Sequence, residues 1–478
     1  MFGNQSRDYS GKFVGHCHCD ACKRKYRTRY GKDLPKEPDE QYRQFMFDSS
    51  REVAAEIGKL IHSKRPKAGY FNYIQESTDG IMSESNTAAS RPLPLWPYTS
   101  SDNVNRARNS QPSKMAVNLN MQFFDFPWRF ATVAPSEITL RLWQNLSQGG
   151  ALAFAVNGTF DHEDRQAIDA ARPVFRFAAE HAKYYAGQQS AARVLLLGGS
   201  ARTGRAYNQA GYRGVFRALT EEHIPFAVSD NMDWLGKREF DLVIATDWAP
   251  PELKQYRGRL LILSSVRPDI ETPRVIETQH NLEAYIRVRN HSMFPSLSLM
   301  NLLMLGGDFT EVEGDGSKSL SFVPQSMYGP PEKIHVDMKD TTKPGIVTWD
   351  NGSIVWIPWD LPALYYKYSL PGHAGLLHDL LTTMLPSRQI KTDAHPLVEM
   401  SLMRQGSRTL LHLVNVSGHS DTAYFPPVPM KDIHVEVRGA YGSARLVRAG
   451  RDTAVASSNG YTKVVVPELR DYELIVLE

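Results

Sequence analysis

Cysteine is scarce in this sequence, and its scarcity limits both fold and location. There are three cysteines in 478 residues, all between positions 17 and 22. So few and so close together, they cannot form the disulfide framework of a small secreted domain. The N-terminal residues also lack the order of charged and apolar regions that a signal peptide has. We therefore expect a protein of a reducing compartment, with the cytoplasm as its location.

Long apolar runs and a strong net charge are missing as well. No window approaches the roughly 18 consecutive apolar residues that a membrane span needs. The formal net charge is +3, and no Lys/Arg block is long enough to indicate a nucleic-acid surface. Neither a membrane nor nucleic acid is expected as a partner. With 42% hydrophobic and 22% charged residues, the composition is typical of soluble globular domains.

The first 188 residues alternate short apolar runs with amphipathic segments. This alternation predicts βα units around a parallel sheet. Four strands are half of what a (β/α)8 barrel of the TIM type requires. Helices are expected at 21–30, 39–63, 135–147 and 161–185, and strands at 69–74, 80–83, 115–123 and 151–156.

Two further domains are predicted. Residues 189–393 begin with the buried strand RVLLLGG and continue with short strands and helices, a doubly wound α/β pattern. Its last part, 345–384, contains a hairpin with the turn Asp350-Asn351-Gly352. The polar segment from about 270 to 340 receives no assignment. Residues 394–478 form short alternating strands separated by turn residues, which predicts a small β-sandwich.

The sequence of the α/β domain contains no catalytic or cofactor-binding motif that we recognise. No cysteine follows position 22, so an amidotransferase nucleophile is missing. Neither G-x-G-x-x-G nor a P-loop lysine follows its first strand, and we expect no organic cofactor. The domain is therefore expected to be structural or oligomerising.

The three cysteines have the spacing C-x-C-x-x-C, at Cys17, Cys19 and Cys22. Thiolates this close can share one tetrahedral zinc ion. His16 or His18 is a candidate fourth ligand, and a residue outside this sequence is another. The alternative is three reduced thiols at the start of a helix. A redox role is less favoured, since no thioredoxin-like βαβ pattern follows.

The stretch CHCDACKRKYRTRYGKDLP resembles the zinc loop of glycoside hydrolase family 42 β-galactosidases and their relatives, including the family 151 α-L-fucosidases. After the cysteines, that pattern has a helix with an aromatic residue, then Tyr-Gly and Leu/Ile-Pro. Here the corresponding residues are Tyr26, Tyr30, Gly31, Leu34 and Pro35. The following domains also resemble the amidotransferase-like trimerisation domain and the closing β-domain of family 42.

The resemblance implies a structural zinc, a carbohydrate substrate and a homo-oligomer, a dimer or a trimer. In the family the cysteine cluster follows the fourth barrel strand. Residues 1–188 therefore correspond to the C-terminal half of the barrel. The leading hypothesis is a glycosidase that cleaves a terminal α-L-fucoside or β-galactoside. The alternative is a truncated, non-catalytic protein that binds carbohydrate or serves in assembly.

Glycosidic cleavage uses two carboxyl groups, which in parallel barrels lie at the carboxyl ends of strands. Glu84 ends a short apolar strand and is the first candidate; Asn86 beside it is a candidate substrate contact. Glu76 ends the preceding predicted strand, and Asp8 lies upstream of the cysteines. Each carboxylate has an ordinary alternative role, bonding to backbone amides in a loop.

The strand expected to carry the family 42 nucleophile has amides and no glutamate. Asn118, Asn120 and Gln122 alternate along it and share one face. They either bind sugar hydroxyls or are satisfied interior polar groups. The missing glutamate favours the fucosidase-like relatives over simple β-galactosidase chemistry.

Trp128 and Arg129 are candidates for sugar binding. An aromatic ring stacks on the apolar face of a sugar while a guanidinium donates to its hydroxyls. Packing in a core or loop is the alternative for both residues. His162, after the last predicted strand of this region, is expected at the same rim or simply in a solvated loop.

Overall fold

The computed structural model describes residues 17–72, 78–86, 93, 95–198, 209–325, 329–330 and 341–478. These residues divide into two compact units. Unit 1 comprises Met1–Leu146, Gly150–Glu180 and Asp421–Tyr424. Unit 2 comprises Ser147–Gly149, His181–Ser420 and Phe425–Glu478.

A parallel sheet with helices forms the first part of the chain, as the alternating pattern predicted. Its strands lie in the order β1-β2-β3-β4, and every neighbouring pair is parallel. The elements are α1 (Asp20–Tyr30), α2 (Glu40–Lys64), β1 (Phe71–Asn72), β2 (Gly80–Ser85), α3 (Thr99–Ser110), β3 (Met115–Met121), α4 (Pro135–Ser147), β4 (Ala151–Ala155) and α5 (Gln166–Glu180).

Local sequence signals account for where α1 and α2 begin and end. The Asp39 side chain accepts a 2.7 Å hydrogen bond from the Tyr42 amide, which satisfies a free N–H at the start of α2. Helix α1 ends at Gly31, whose φ of 68° is in the left-handed region. The two helices pack through a small aromatic core of Tyr26, Tyr42 and Phe45.

The two faces of this sheet differ in what covers them. On one face Ile81 and Ala116 pack against Val104 and Ala107 of α3. On the opposite face β2 and β3 pair Met82 with Val117 and Glu84 with Leu119, and these side chains are half-buried.

Gly80 is where β1, β2 and β3 come closest together. A Cβ atom built there would lie 2.2 Å from the Phe71 ring and 2.8 Å from the Met115 carbonyl oxygen. Only glycine fits this space without a shift of its neighbours.

A six-stranded mixed sheet follows in unit 2. Its order is β13-β14-β9-β8-β6-β7, with only β13 antiparallel. The predicted hairpin turn Asp350-Asn351-Gly352 lies between β13 and β14 of this sheet. The elements between residues 182 and 384 are α6 (Ala182–Tyr185), β5 (Gln189–Ser190), β6 (Val194–Leu197), α7 (Gln209–Glu221), β7 (Phe226–Ser229), β8 (Leu242–Ala245), β9 (Arg259–Leu263), β10 (Val275–Val288), β11 (Leu302–Val312), β12 (Leu320–Val323), β13 (Val347–Trp349), β14 (Ile354–Ile357), α8 (Leu361–Tyr368) and α9 (Pro371–Met384).

Strands β10, β11 and β12 form a separate antiparallel sheet inside the segment that the sequence left unassigned. The N-terminal half of β10 is largely exposed, and Asn281 there has a φ of 54° beside a register shift. A bulged strand with polar residues on both faces has no clear period of two, which explains why the pattern was not visible.

Two antiparallel sheets make up the C-terminal part of unit 2. Their orders are β15-β20-β24-β23 and β22-β21-β25-β17-β16-β5, and residues from both contribute to one hydrophobic core. The elements are β15 (Ile390–Thr392), β16 (Val398–Gln405), β17 (Arg408–Asn415), β20 (Met430–Arg438), β21 (Ala444–Leu446), β22 (Arg451–Thr453), β23 (Ala456–Ser458), β24 (Tyr461–Leu469) and β25 (Tyr472–Leu477). The short strand β18 (His419–Ser420) also belongs to unit 2, whereas β19 (Ala423–Tyr424) belongs to unit 1. In the part of the chain that is described, we find no helix with the length and apolar character required to cross a bilayer.

Candidate functional site

Glu84 lies near the carboxyl end of β2, on the sheet face away from α3. Its neighbours Ser83 and Ser85 point the other way, because both hydroxyls donate 3.2 Å hydrogen bonds to Asn118 on the helix-covered side. Alternation along the strand then places the Glu84 side chain on the opposite face. The Asn103 side chain holds the backbone here, donating a 3.0 Å hydrogen bond to the Glu84 carbonyl oxygen.

The other two predicted carboxylates, Glu76 and Asp8, lie outside the described residues. On the described strands, Glu84 is the single carboxylate of its sheet face. The side chains that share that face are Met82, Val117, Leu119, Met121, Ala151, Ala153 and Ala155.

Asn118 is held inside a network of buried hydrogen bonds. Its side chain is fully buried. Its Oδ1 accepts a 2.9 Å hydrogen bond from Asn103 of α3. Its Nδ2 donates a 2.9 Å hydrogen bond to Asn145 of α4 and a 3.1 Å one to Ser100 of α3. These contacts fit the satisfied interior polar group, one of the two roles that the sequence leaves open; the substrate contact stays a prediction.

Asn120 lies in the same kind of environment. Its fully buried side chain accepts a 3.3 Å hydrogen bond from Ser100 and donates a 3.1 Å one to the Ala153 carbonyl oxygen of β4. Both amides attach the sheet to its helices and edge strand.

Gln122 follows β3 directly and differs from the two asparagines. Its Nε2 makes a 2.9 Å hydrogen bond with His162 Nδ1, and His162 Nε2 lies 2.6 Å from the Asn157 carbonyl oxygen. The Gln122 Oε1 is buried and has no hydrogen-bond partner among the described residues. The strand periodicity grouped Gln122 with Asn118 and Asn120, because a sequence does not show which amide lacks partners.

Trp128 and Arg129 lie in the loop after β3, where residues Phe126–Trp128 form a 3-10 turn. The Trp128 side chain is 54% exposed and Phe130 is 63% exposed. The Arg129 guanidinium lies 5.1 Å from the centre of the Phe130 ring, and that ring lies 6.1 Å from the His162 ring. Exposed aromatic rings at the carboxyl end of a parallel sheet provide flat apolar surfaces for a ligand. Asn86, one residue beyond β2, is half-buried.

Cys17, Cys19 and Cys22 come together at the start of α1. Their ligand atoms all lie within 4.8 Å of one another, a geometry that can hold a metal ion. Cys19 caps α1, since its Sγ accepts a 3.4 Å hydrogen bond from the Cys22 amide. This amide and the Cys17 thiol lower the pKa of Cys19 to about 7, whereas burial raises the pKa of Cys22 to about 12. The capping alternative and the metal alternative are therefore compatible.

The fold resembles solved structures of glycoside hydrolases over nearly the whole chain. For "Alpha-L-fucosidase isoenzyme 2 from Paenibacillus thiaminolyticus" the TM-score is 0.78 at 16% identity, over 97% of this chain and 75% of that chain. For the β-galactosidase from Bacillus circulans sp. alkalophilus it is 0.64 at 13% identity, over 98% and 78%. For a catalytic mutant of Gan42B, a GH42 β-galactosidase from G. stearothermophilus, it is 0.59 at 11% identity, over 98% and 77%.

The chain shares the fold of these glycosidases. The resemblance to family 42 and to α-L-fucosidases that the cysteine motif and domain order indicated is thereby confirmed as a likeness of fold. No family model and no curated protein matches the chain.

Proposed function

We propose that the protein is a glycoside hydrolase that cleaves a terminal sugar with a pair of carboxylates. The observation that supports this most is the position of Glu84 in a fold shared with an α-L-fucosidase and with β-galactosidases. Catalytic groups of parallel α/β sheets lie at the carboxyl ends of strands, and Glu84 is next to the last residue of β2.

The second carboxyl group in this proposal is Glu76 or Asp8. A retaining mechanism needs the two carboxyl groups about 5 to 5.5 Å apart, one as the nucleophile and one as the acid and base. The nucleophile attacks the anomeric carbon while the acid protonates the leaving oxygen. Water then releases the sugar from the enzyme with the acid acting as a base.

The remaining site residues in the proposal bind the sugar. Asn86 hydrogen-bonds a hydroxyl next to the scissile bond, Trp128 stacks on the sugar ring, and Arg129 donates to hydroxyls. The substrate is an α-L-fucoside or a β-galactoside, because these are the sugars in the names of the similar structures.

The other parts of the chain have supporting roles in this proposal. Residues 1–188 form the catalytic part, the C-terminal half of a (β/α)8 barrel. Residues 189–393 form the amidotransferase-like domain that brings copies together in a homo-oligomer. Residues 394–478 form the closing β-sandwich. Zinc held by Cys17, Cys19 and Cys22 fixes the loop before α1, since zinc accepts three thiolates and one further ligand.

Hydrolysis of nitrophenyl α-L-fucoside and nitrophenyl β-D-galactoside tests the proposal. The purified chain is expected to release nitrophenol from one of them, and Glu84→Gln is expected to abolish the release. Glu180→Gln, an exposed position on α5, is the matched control and should keep full activity. Equal activity of Glu84→Gln and the unmodified chain would overturn the role of Glu84.

A second candidate function is carbohydrate binding without catalysis. It is favoured by one observation: the described strands carry a single carboxylate on the face of Glu84. Under this alternative the methyl glycosides of fucose or galactose bind in calorimetry, and no glycoside of a full panel is hydrolysed.

A further inference from the structure

The orientation of the Gln122 amide is fixed by the hydrogen bonds of His162. A carbonyl oxygen only accepts hydrogen bonds, so His162 Nε2, 2.6 Å from the Asn157 carbonyl oxygen, carries the hydrogen. In the neutral ring Nδ1 is then an acceptor. The Gln122 group at 2.9 Å from it must therefore be the NH2 group, and Oε1 points away from the ring.

Fixing the amide in this way leaves one acceptor without a donor. The Gln122 side chain is fully buried, and its Oε1 has no partner among the described residues. Buried polar side-chain atoms are nearly always hydrogen-bonded, because removing them from water without a partner is costly. Gln122 Oε1 is one of several buried atoms without a partner among the described residues, and it is the one that directly follows a strand of the unit 1 sheet.

The location of this acceptor is that of a ligand site in a parallel sheet. Gln122 follows the last residue of β3, and ligands of open α/β sheets bind beyond the carboxyl ends of strands. The loop after Gln122 returns to it, since the Val133 amide donates a 2.9 Å hydrogen bond to the Gln122 carbonyl oxygen. This loop carries the exposed rings of Trp128 and Phe130.

We propose that Gln122 Oε1 accepts a hydrogen bond from one hydroxyl group of the bound sugar and so determines specificity. His162 is the positioning residue, because its Nδ1 holds the amide with the acceptor toward the site. Binding in this way requires the loop between Gln122 and Val133 to move, because Oε1 is covered in this structure. This proposal rests on the proposed function, since it requires a sugar in that site.

Calorimetric titration with sugars that lack one hydroxyl tests this assignment. The ligands are methyl α-L-fucoside and methyl β-D-galactoside with their singly deoxygenated and singly fluorinated analogues, and Glu84→Gln is the background that prevents turnover. Fluorine cannot donate a hydrogen bond. At one position of the sugar, the deoxy and the fluoro analogue should therefore both bind about ten-fold more weakly, the factor that 1.4 kcal/mol corresponds to.

The variant Gln122→Met keeps the length of the side chain and removes the acceptor. The intact sugar should bind this variant about ten-fold more weakly, and the two analogues should lose nothing further. His162→Phe keeps the contact with Phe130 but frees the amide, and it should weaken the preference for the same hydroxyl. Gln44→Met, exposed on α2, is the control for the substitution itself.

Failure of this proposal is distinct from failure of the proposed function. If a methyl glycoside binds Gln122→Met as tightly as the parent, or if every analogue loses the same factor in both, the acceptor serves a bound water and the inference is wrong. If no glycoside binds or is hydrolysed by the unmodified chain, the proposed function falls as well. Should Gln122→Met not fold, Gln122→Glu keeps an acceptor and should retain the dependence on that hydroxyl.

Discussion

The phenol of Tyr472 donates a 2.8 Å hydrogen bond to His412 Nδ1 inside the C-terminal β-sheets of unit 2. The Nε2 of this histidine donates a 3.0 Å hydrogen bond to the Gln188 side-chain oxygen, and Tyr185 is hydrogen-bonded to Tyr472. The histidine is fully buried, and this burial lowers its pKa to about 3.

The buried His412 predicts a loss of stability in mild acid. An unfolded histidine binds a proton near pH 6.5, whereas the native one does so only near pH 3. The stabilisation is thus complete above about pH 6.5 and is lost as the pH falls, by about 1.4 kcal/mol per pH unit. Urea unfolding between pH 7 and pH 4 measures this slope.

Two variants isolate the contribution of His412. His412→Gln should lower the free energy of unfolding at pH 7. It should also reduce the dependence of this free energy on pH by the contribution of about one proton. His395→Gln, at an exposed position, should leave the slope unchanged. An unchanged slope in His412→Gln would contradict the assignment.

Asn118 is expected to matter for stability. Asn118→Ala removes the hydrogen bonds that the buried Asn118 side chain makes with Asn103, Asn145 and Ser100, which should cost about 3 kcal/mol of unfolding free energy. Gln44→Ala on the surface of α2 is the control and should change stability by less than about 0.5 kcal/mol. A native-like melting temperature for Asn118→Ala would mean that the network is dispensable.

The cysteine cluster predicts about one zinc ion per chain, measured by mass spectrometry after exhaustive dialysis. Cys19→Ser should lose the metal, while Lys23→Gln, an exposed neighbour on α1, should keep it. Metal should also dissociate as the pH falls, because each thiolate ligand is then protonated. Metal-free protein with three thiols that all react with a thiol reagent would refute this prediction.

Trp128 predicts an effect on sugar binding without an effect on folding. Because its ring is 54% exposed, Trp128→Ala should leave the melting temperature unchanged. Loss of stacking should raise the KM or Kd for the glycoside about ten-fold. Phe425→Ala removes another ring that is 60% exposed and is the control. Equal affinities of Trp128→Ala and Phe425→Ala would exclude Trp128 from the site.

Much of the fold follows from periodicity in the sequence. The helix expected at 39–63 is observed as α2 (Glu40–Lys64), and the strand over 80–83 is observed at Gly80–Ser85. The hairpin of β10 and β11 was not predicted, because its exposed strand has polar residues on both faces.

The candidate site could be predicted from the sequence less well than the fold. Alternation placed Asn118, Asn120 and Gln122 on one face; Asn118 and Asn120 both face Ser100 of α3, whereas Gln122 lies beyond the end of β3. Whether an amide is satisfied depends on residues far away in the chain, such as Asn145 for Asn118 and His162 for Gln122. These contacts form only when the helices and loops pack, and a single sequence does not record them.

The position of Glu84 depends on how closely Gly80 of β2 packs against β1 and β3. A methyl group there would meet both the Phe71 ring and the Met115 carbonyl oxygen, so β2 or its neighbours would have to shift. Glu84 is on the same strand, four residues beyond Gly80. Gly80→Ala would thus change the position of the Glu84 carboxylate without contacting it. Mutational scans of activity should find Gly80 as sensitive to substitution as Glu84.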